Sequence, residues 1–399
     1  MKTILHLLFF FLTSNLVMAC DNDNGEEQIP VPVTVETVET TQIETNSALS
    51  GGRISGLSGE KILASGVCWS TSSEPTLADN QSEADNPDGS TTFACYLLGL
   101  EPSTTYYVRA FVTLPSGTIY GQERRFTTAD NEGTGGGEEP LQTVTYLWPE
   151  GNMPATTNYT VNNGNYFDDP DFRPNMVWYP VPEGQAVKGA VMVCPGGAFM
   201  FRSDSEGTPI ARRLSELGYQ SFVVNYRVRP YRMEEGSLDL ARAVRFVRSH
   251  ASEYGIRPDN IAAVGFSAGG ILCGDLALNF DGLVNGTVLD ADYVADELDE
   301  VSADICSIGM IYSFYGRLSV SNNNVEELRA GNIPPTFYTY GTEDPFYRQF
   351  IANANAVREA GVPMEEHVLQ DWGHGFGLGN GQWAIDFDRW LTGIMSGEE

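Results

Sequence analysis

The residues Gly265-Phe266-Ser267-Ala268-Gly269 follow the apolar run 261–264 and precede the small, apolar stretch 270–278. A serine between two glycines at a strand-to-helix junction forces a hydroxyl onto a sharp turn. The glycines leave room for the strained backbone, and the oxygen stands exposed above the sheet. A strand must therefore enter the turn and a helix must leave it. A chain with 42 glycines can contain this pentapeptide by accident, so its meaning depends on the segments around it.

Those segments alternate. Beyond residue 140 the pattern predicts strands near 142–148, 176–181, 188–194, 219–226, 261–266, 305–313, 335–341 and 364–370. Helices are expected from about 206, 237, 268, 345 and 382. In the second of these, Leu240, Val244 and Val247 fall on one helical stripe. Pro195, Pro209, Pro258, Pro334 and Pro345 fall at element boundaries. Residues 141–399 thus predict an α/β domain: an eight-stranded, mostly parallel sheet covered on both faces.

Residues 31–128 read differently. Short β-branched and aromatic segments alternate there with turn clusters, the pattern of a small all-β sandwich. Leu100-Glu101-Pro102 followed by Tyr106 has the form of a tyrosine corner, in which the phenol ties a strand start to the preceding crossover. Residues 129–140 form a linker; Gly133, Gly135, Gly136 and Gly137 among acidic residues cannot pack, and a coil of that length spans about 20 Å.

The first residues read as a targeting segment. Lys2 supplies a positive start, 4–12 an apolar run too short to span a bilayer comfortably, and Val17-Met18-Ala19-Cys20 a cleavage site. Residues 1–19 are the expected signal peptide. Cys20 after a small residue resembles a bacterial lipobox, so 20–30 is expected to be a lipidated, acidic tether on an outer-membrane lipoprotein displayed at the cell surface; the periplasmic face or secretion is the alternative. A net charge of −30 repels phosphate backbones and argues against nucleic-acid binding. The remaining five cysteines stand singly, with no Cys-x-x-Cys pair or Cys/His cluster, which argues against zinc. Buried free thiols are expected, with a Cys68–Cys95 bridge as the alternative.

A serine hydroxyl is nearly inert at neutral pH, so an imidazole must take its proton as it attacks. On such a sheet the members follow in the order serine, acid, histidine. Four histidines make elimination short. His6 lies in the targeting segment, His250 on a helix before the serine, and His367 inside a strand. His374 stands in a glycine-flanked loop past the last strand, Asp371-Trp372-Gly373-His374-Gly375-Phe376, and is the expected base. The expected acid is Asp344 in the turn Tyr340-Gly341-Thr342-Glu343-Asp344-Pro345, with Glu343 as the neighbouring alternative and Asp371 as a loop-shaping carboxylate. The strand near 188–194 runs into Pro195-Gly196-Gly197-Ala198-Phe199. Small residues there let the N–H groups of Gly197 and Ala198 join that of Ala268 as an oxyanion hole.

Pro195-Gly196-Gly197-Ala198-Phe199, Asn225-Tyr226-Arg227 and segments 265–270, 341–345 and 373–376 together resemble the α/β-hydrolase esterases known as acetyl xylan esterases and related carbohydrate esterases. The likeness covers about 185–395. Residues 31–128 resemble the fibronectin type III-like modules of exported bacterial lipoproteins, which are usually spacers; carbohydrate binding through Trp69 is the alternative. The resemblance implies a serine esterase that removes acyl groups, acetyl foremost, from plant-type polysaccharides such as xylan through an acyl-enzyme. A feruloyl or other carboxylesterase is the next reading, then a serine peptidase of the prolyl-oligopeptidase type, then a non-catalytic glycan-binding lipoprotein. No metal or organic cofactor is expected. The expected partners are an acylated polysaccharide or oligosaccharide and, through Cys20, a membrane; the oligomeric state stays open. Two features depart from the pattern. The usual His-Gly-Gly-Gly loop is Pro195-Gly196-Gly197-Ala198 here, and 281–317, which shapes the acyl and sugar pockets in relatives, follows no assignable pattern.

Overall fold

A computed structural model describes residues 32–41, 43, 47–57, 59–84, 91–129, 143–164 and 166–397. The expected signal peptide, Cys20 with its tether, and all but the first residue of the linker lie outside them.

The N-terminal strands are β1 (Thr34–Thr37), β2 (Ser47–Ser55), β3 (Ala64–Ser70), β4 (Asn80–Glu83), β5 (Thr92–Leu98), β6 (Thr105–Leu114), β7 (Gly117–Tyr120) and β8 (Arg124–Thr127). They form two antiparallel sheets, β1-β2-β5 and β4-β3-β6-β7, with β8 added to β6. Val35, Ala48, Ile54, Phe93, Cys95 and Leu97 of the first sheet meet Val67, Trp69, Val108, Ala110 and Val112 of the second in a shared core. The Tyr106 hydroxyl accepts the Glu101 N–H at 3.0 Å, tying the start of β6 to the preceding crossover. Cys68 and Cys95 are buried free thiols, without a bridge between them. Trp69 is buried in the core, so it offers no ring face to a carbohydrate.

The following domain contains β9 (Thr143–Tyr146), β10 (Asn175–Tyr179), β11 (Gly189–Cys194), β12 (Tyr219–Asn225), β13 (Ile261–Phe266), β14 (Ile308–Ile311), a small hairpin of β15 (Gly316–Arg317) and β16 (Val320–Ser321), then β17 (Thr336–Gly341) and β18 (Met364–Leu369). Its helices are α1 (Thr208–Glu216), α2 (Met233–Ser249), α3 (Ala268–Asn279), α4 (Val325–Ala330), α5 (Tyr347–Ala360) and α6 (Gln382–Ser396). Eight strands form one mixed sheet in the order β18-β17-β14-β13-β11-β12-β10-β9, in which β10 is antiparallel to both its neighbours and the other pairings are parallel. Strands β11, β13 and β14 are buried along their whole length, which explains why they read as continuous apolar runs rather than alternating ones.

Helix α2 starts at Met233, before the position near 237 that its apolar stripe suggests, because Glu235 caps it: the carboxylate accepts the Arg232 N–H at 2.7 Å. Its stripe, Leu240, Val244 and Val247, is buried against the sheet side of the domain. Arg227 is fully buried beside it. Its guanidinium grips Asp239 at 2.8–3.2 Å and donates to the carbonyls of Pro154 and Glu235. The Asn225-Tyr226-Arg227 motif therefore anchors the loop after β12 to α2, satisfying a buried charge as burial requires.

Candidate active site

Strands β18, β17, β14, β13 and β11 are consecutive neighbours, and the loops leaving their carboxyl ends converge. Open α/β sheets bind ligands at this edge.

Ser267 occupies the turn between β13 and α3 with φ 49° and ψ −118°, a conformation that costs a non-glycine residue about 1–3 kcal/mol. Two contacts hold it there. Its N–H donates to the Ile311 carbonyl at 3.0 Å, and its carbonyl accepts the Ser313 hydroxyl at 2.6 Å. The flanking glycines are required by close approach. A Cβ on Gly265 would lie 2.3 Å from the Gly269 oxygen, and one on Gly269 would lie 2.0 Å from the Cys194 oxygen.

His374 enters from the loop after β18. Its Nε2 lies 2.8 Å from Ser267 Oγ, and its Nδ1 lies 2.6 Å from Asp344 Oδ2. Asp344 leaves the end of β17, and its second oxygen is fixed by the Phe346 N–H at 2.8 Å. The rings of Tyr312 and Phe346 lie against the imidazole, with centroids 4.9 and 5.7 Å away. Burial presses His374 toward its neutral form. The charge of Asp344, its hydrogen bond and the charge of Glu206 together outweigh that pressure and hold the pKa above the ordinary imidazole value. With Nδ1–H donated to Asp344, Nε2 presents its lone pair to the serine hydroxyl.

The loop after β11 turns through three successive left-handed residues, Gly197 (φ 125°), Ala198 (φ 51°) and Phe199 (φ 56°). This reversal leaves the N–H groups of Gly197 and Ala198 without an acceptor among the described residues, and the same holds for Ala268 in the first turn of α3. Three free donors on the loops flanking Ser267 can serve an oxygen that gains negative charge.

Two residues at this edge escape sequence reasoning. Glu206 is buried; one oxygen accepts the Gly196 N–H at 2.8 Å and the other the Tyr312 hydroxyl at 2.5 Å. The carboxylate thus ties the loop after β11 to the end of β14 and places a charge near His374. In sequence it reads as an ordinary acid in the first turn of a helix. Tyr312, one residue past β14, carries no motif.

The remaining candidates are not brought to the serine. Glu343 is exposed and pairs with Arg53 of the N-terminal module at 3.3 Å. Asp371 is an exposed loop residue with φ 61°, and its N–H donates to Thr342 Oγ1. His250 stacks on Phe246, and His367 pairs with Glu365 on β18. The unassigned segment 281–317 divides: Tyr312 and Ser313 near its end touch the site, while 282–306 is held away from it. Arg242 and Arg245 of α2 hold that stretch through Asp296 and the carbonyls of Gly282, Val284 and Val301. None of it lines the cavity that reaches His374. Among the described residues, no group of three or more His, Cys, Asp or Glu side chains is placed to hold a metal ion.

A profile of the family BD-FAE matches residues 177–345, which carry the loop after β11, the serine turn and Asp344. Over 258 residues the chain is 29% identical to an endo-1,4-beta-xylanase B of Butyrivibrio fibrisolvens, covering 60% of this chain and 40% of the relative. It is 27% identical over 235 residues to an acetylxylan esterase of Xylanibacter ruminicola, covering 55% and 47%. Over 86 residues it is 40% identical to a probable carboxylic ester hydrolase, LipM, of Mycobacterium tuberculosis, covering 21% and 20%. The chain thus spans less than half the length of these relatives. With the site geometry, the matches support a carboxylic-ester hydrolase.

Proposed function

We propose that the protein is a serine esterase that removes acetyl groups from xylan-type polysaccharides. The observation that carries this reading is the chain Ser267–His374–Asp344, its histidine and acid buried, with contacts of 2.8 and 2.6 Å beside three unused backbone donors. Ser267 Oγ attacks the ester carbonyl carbon while its proton passes to His374 Nε2. Gly197, Ala198 and Ala268 donate to the carbonyl oxygen as it becomes an alkoxide. Collapse of the tetrahedral species breaks the bond to the sugar oxygen, which takes the proton from His374. Water then gives a proton to His374 as its oxygen attacks the acyl carbon; collapse breaks the bond to Ser267 Oγ, which takes that proton back from His374 as the acetyl group leaves as acetic acid.

The acetyl group and the xylan-type alcohol are supported by the names of two relatives, a xylanase and an acetylxylan esterase. We also read the N-terminal module as fibronectin type III-like and Cys20 as the lipid attachment that holds the enzyme at the outer membrane. The test is product analysis on native acetylated xylan, feruloylated xylan and a peptide amide. Acetate release without ferulate or amine release is expected. Amide cleavage at a comparable rate would replace the esterase by a peptidase.

A further inference from the structure

We infer that the N-terminal module forms the second wall of the active-site cleft and supplies side chains that recognise the alcohol part of the ester. This rests on the esterase reading above.

In β1, β2 and β5 side chains alternate between two faces. Val35, Ala48, Ile54, Phe93 and Cys95 point into the module's own core. Glu36, Leu49, Arg53 and Ala94 occupy the opposite face, which in a spacer would meet water. Leu49 is instead only 4% exposed, and Phe201 of the catalytic domain is 3% exposed, because the two cover each other with Ala94, Ala198 and Met200 around them. Ala198 is one of the free donors beside Ser267. At the other edge, Arg53 pairs with Glu343, the residue before Asp344. The module therefore touches both the oxyanion loop and the acid loop.

Between these contacts lies a cavity of about 320 Å³, walled by both domains and reaching His374. That is the lower end of the range for ligand pockets, about 300–1,000 Å³. Its charged groups are Glu36, Glu39, Glu343 and Asp371 against Arg53 and Arg124. Carboxylates accept from hydroxyls and guanidiniums donate to them, so both signs along one cavity suit a polyhydroxylated alcohol. Four carboxylates against two guanidiniums disfavour an anionic one. The occupant is a short, neutral saccharide bearing the ester, with Glu36 and Arg53, cross-strand neighbours in β1 and β2, as its recognition pair.

The experiment compares kcat/KM for a neutral acetylated xylo-oligosaccharide with that for p-nitrophenyl acetate, on the full chain. In Arg53→Ala and Glu36→Gln the ratio of the two is expected to fall about ten- to a hundredfold, the effect of losing a hydrogen bond to a charged group. Leu49→Asp, which breaks the contact with Phe201 and leaves the module's own core intact, is expected to lower the ratio in the same direction, with circular dichroism reporting the retained fold. Lys61→Ala, exposed and outside the cavity, is the control. An unchanged ratio in all three variants, from a wild type that hydrolyses both esters, overturns the inference and makes the module a spacer. A wild type that hydrolyses neither ester overturns the esterase reading itself, and the inference with it.

Discussion

The two walls of the cleft hold their polar groups under opposite conditions. At the strand ends, His374, Asp344 and Glu206 are buried, and each is fixed by hydrogen bonds or rings. On the module, Arg53 is 47% exposed and its partner Glu343 55% exposed. An exposed ion pair contributes about 0–1 kcal/mol, whereas burying a leucine side chain contributes about 1.5–3 kcal/mol. Leu49 on Phe201, rather than Arg53 on Glu343, therefore holds the module in place. The charges beside it stay solvated and free to exchange water for substrate. A buried, rigid wall suits bond making, and an exposed, charged wall suits discrimination among alcohols.

That contrast sets the size of each expected effect. Ser267→Ala removes the group that attacks and should lower kcat on the order of 10⁴–10⁶-fold while leaving the fold unchanged. Steady-state kinetics and thermal unfolding of the same preparation check both halves. Glu206→Gln is subtler. His374 must be neutral to act, so activity falls as pH drops through its pKa, and the charge of Glu206 helps to raise that pKa. Removing the charge should move the acid limb of the kcat/KM profile to lower pH, with esterase activity retained. An unmoved limb would show that Glu206 only ties the loops together. The module variants leave the buried wall alone and alter the ratio between substrates.

Stability should run against activity with pH. The His374 pKa is raised in the folded state above its unfolded value, so the protonated His374–Asp344 pair stabilises fully below about pH 6.5. That contribution is lost as pH rises through the folded pKa, the range in which the enzyme gains its base.

Much of the buried wall was legible in the sequence because its parts are short motifs at the ends of strands. A serine between glycines, a histidine in a glycine-flanked loop and an Asp-Pro turn are local patterns whose order along the chain mirrors their order at the sheet edge. Glu206 and Tyr312 were not legible. Their role comes from a contact 106 residues apart in sequence, and neither carries a pattern of its own. The module face was hidden for a related reason. Strand alternation marks Leu49 as outward-facing, but nothing local says that Phe201 will cover it. Segment 281–317 carried no pattern to read. Part of it is tied to α2 by Arg242 and Arg245, which lie off the apolar stripe of that helix.

The central claim is that Ser267 is the nucleophile of an acyl-transfer site. It is tested most directly by exposing the protein to a fluorophosphonate, which phosphonylates an activated serine, and mapping the adduct by peptide mass spectrometry. One adduct per chain on Ser267, absent in His374→Ala and accompanied by loss of esterase activity, is the expected result. An adduct on another residue, or full phosphonylation of Ser267 with activity retained, would contradict it.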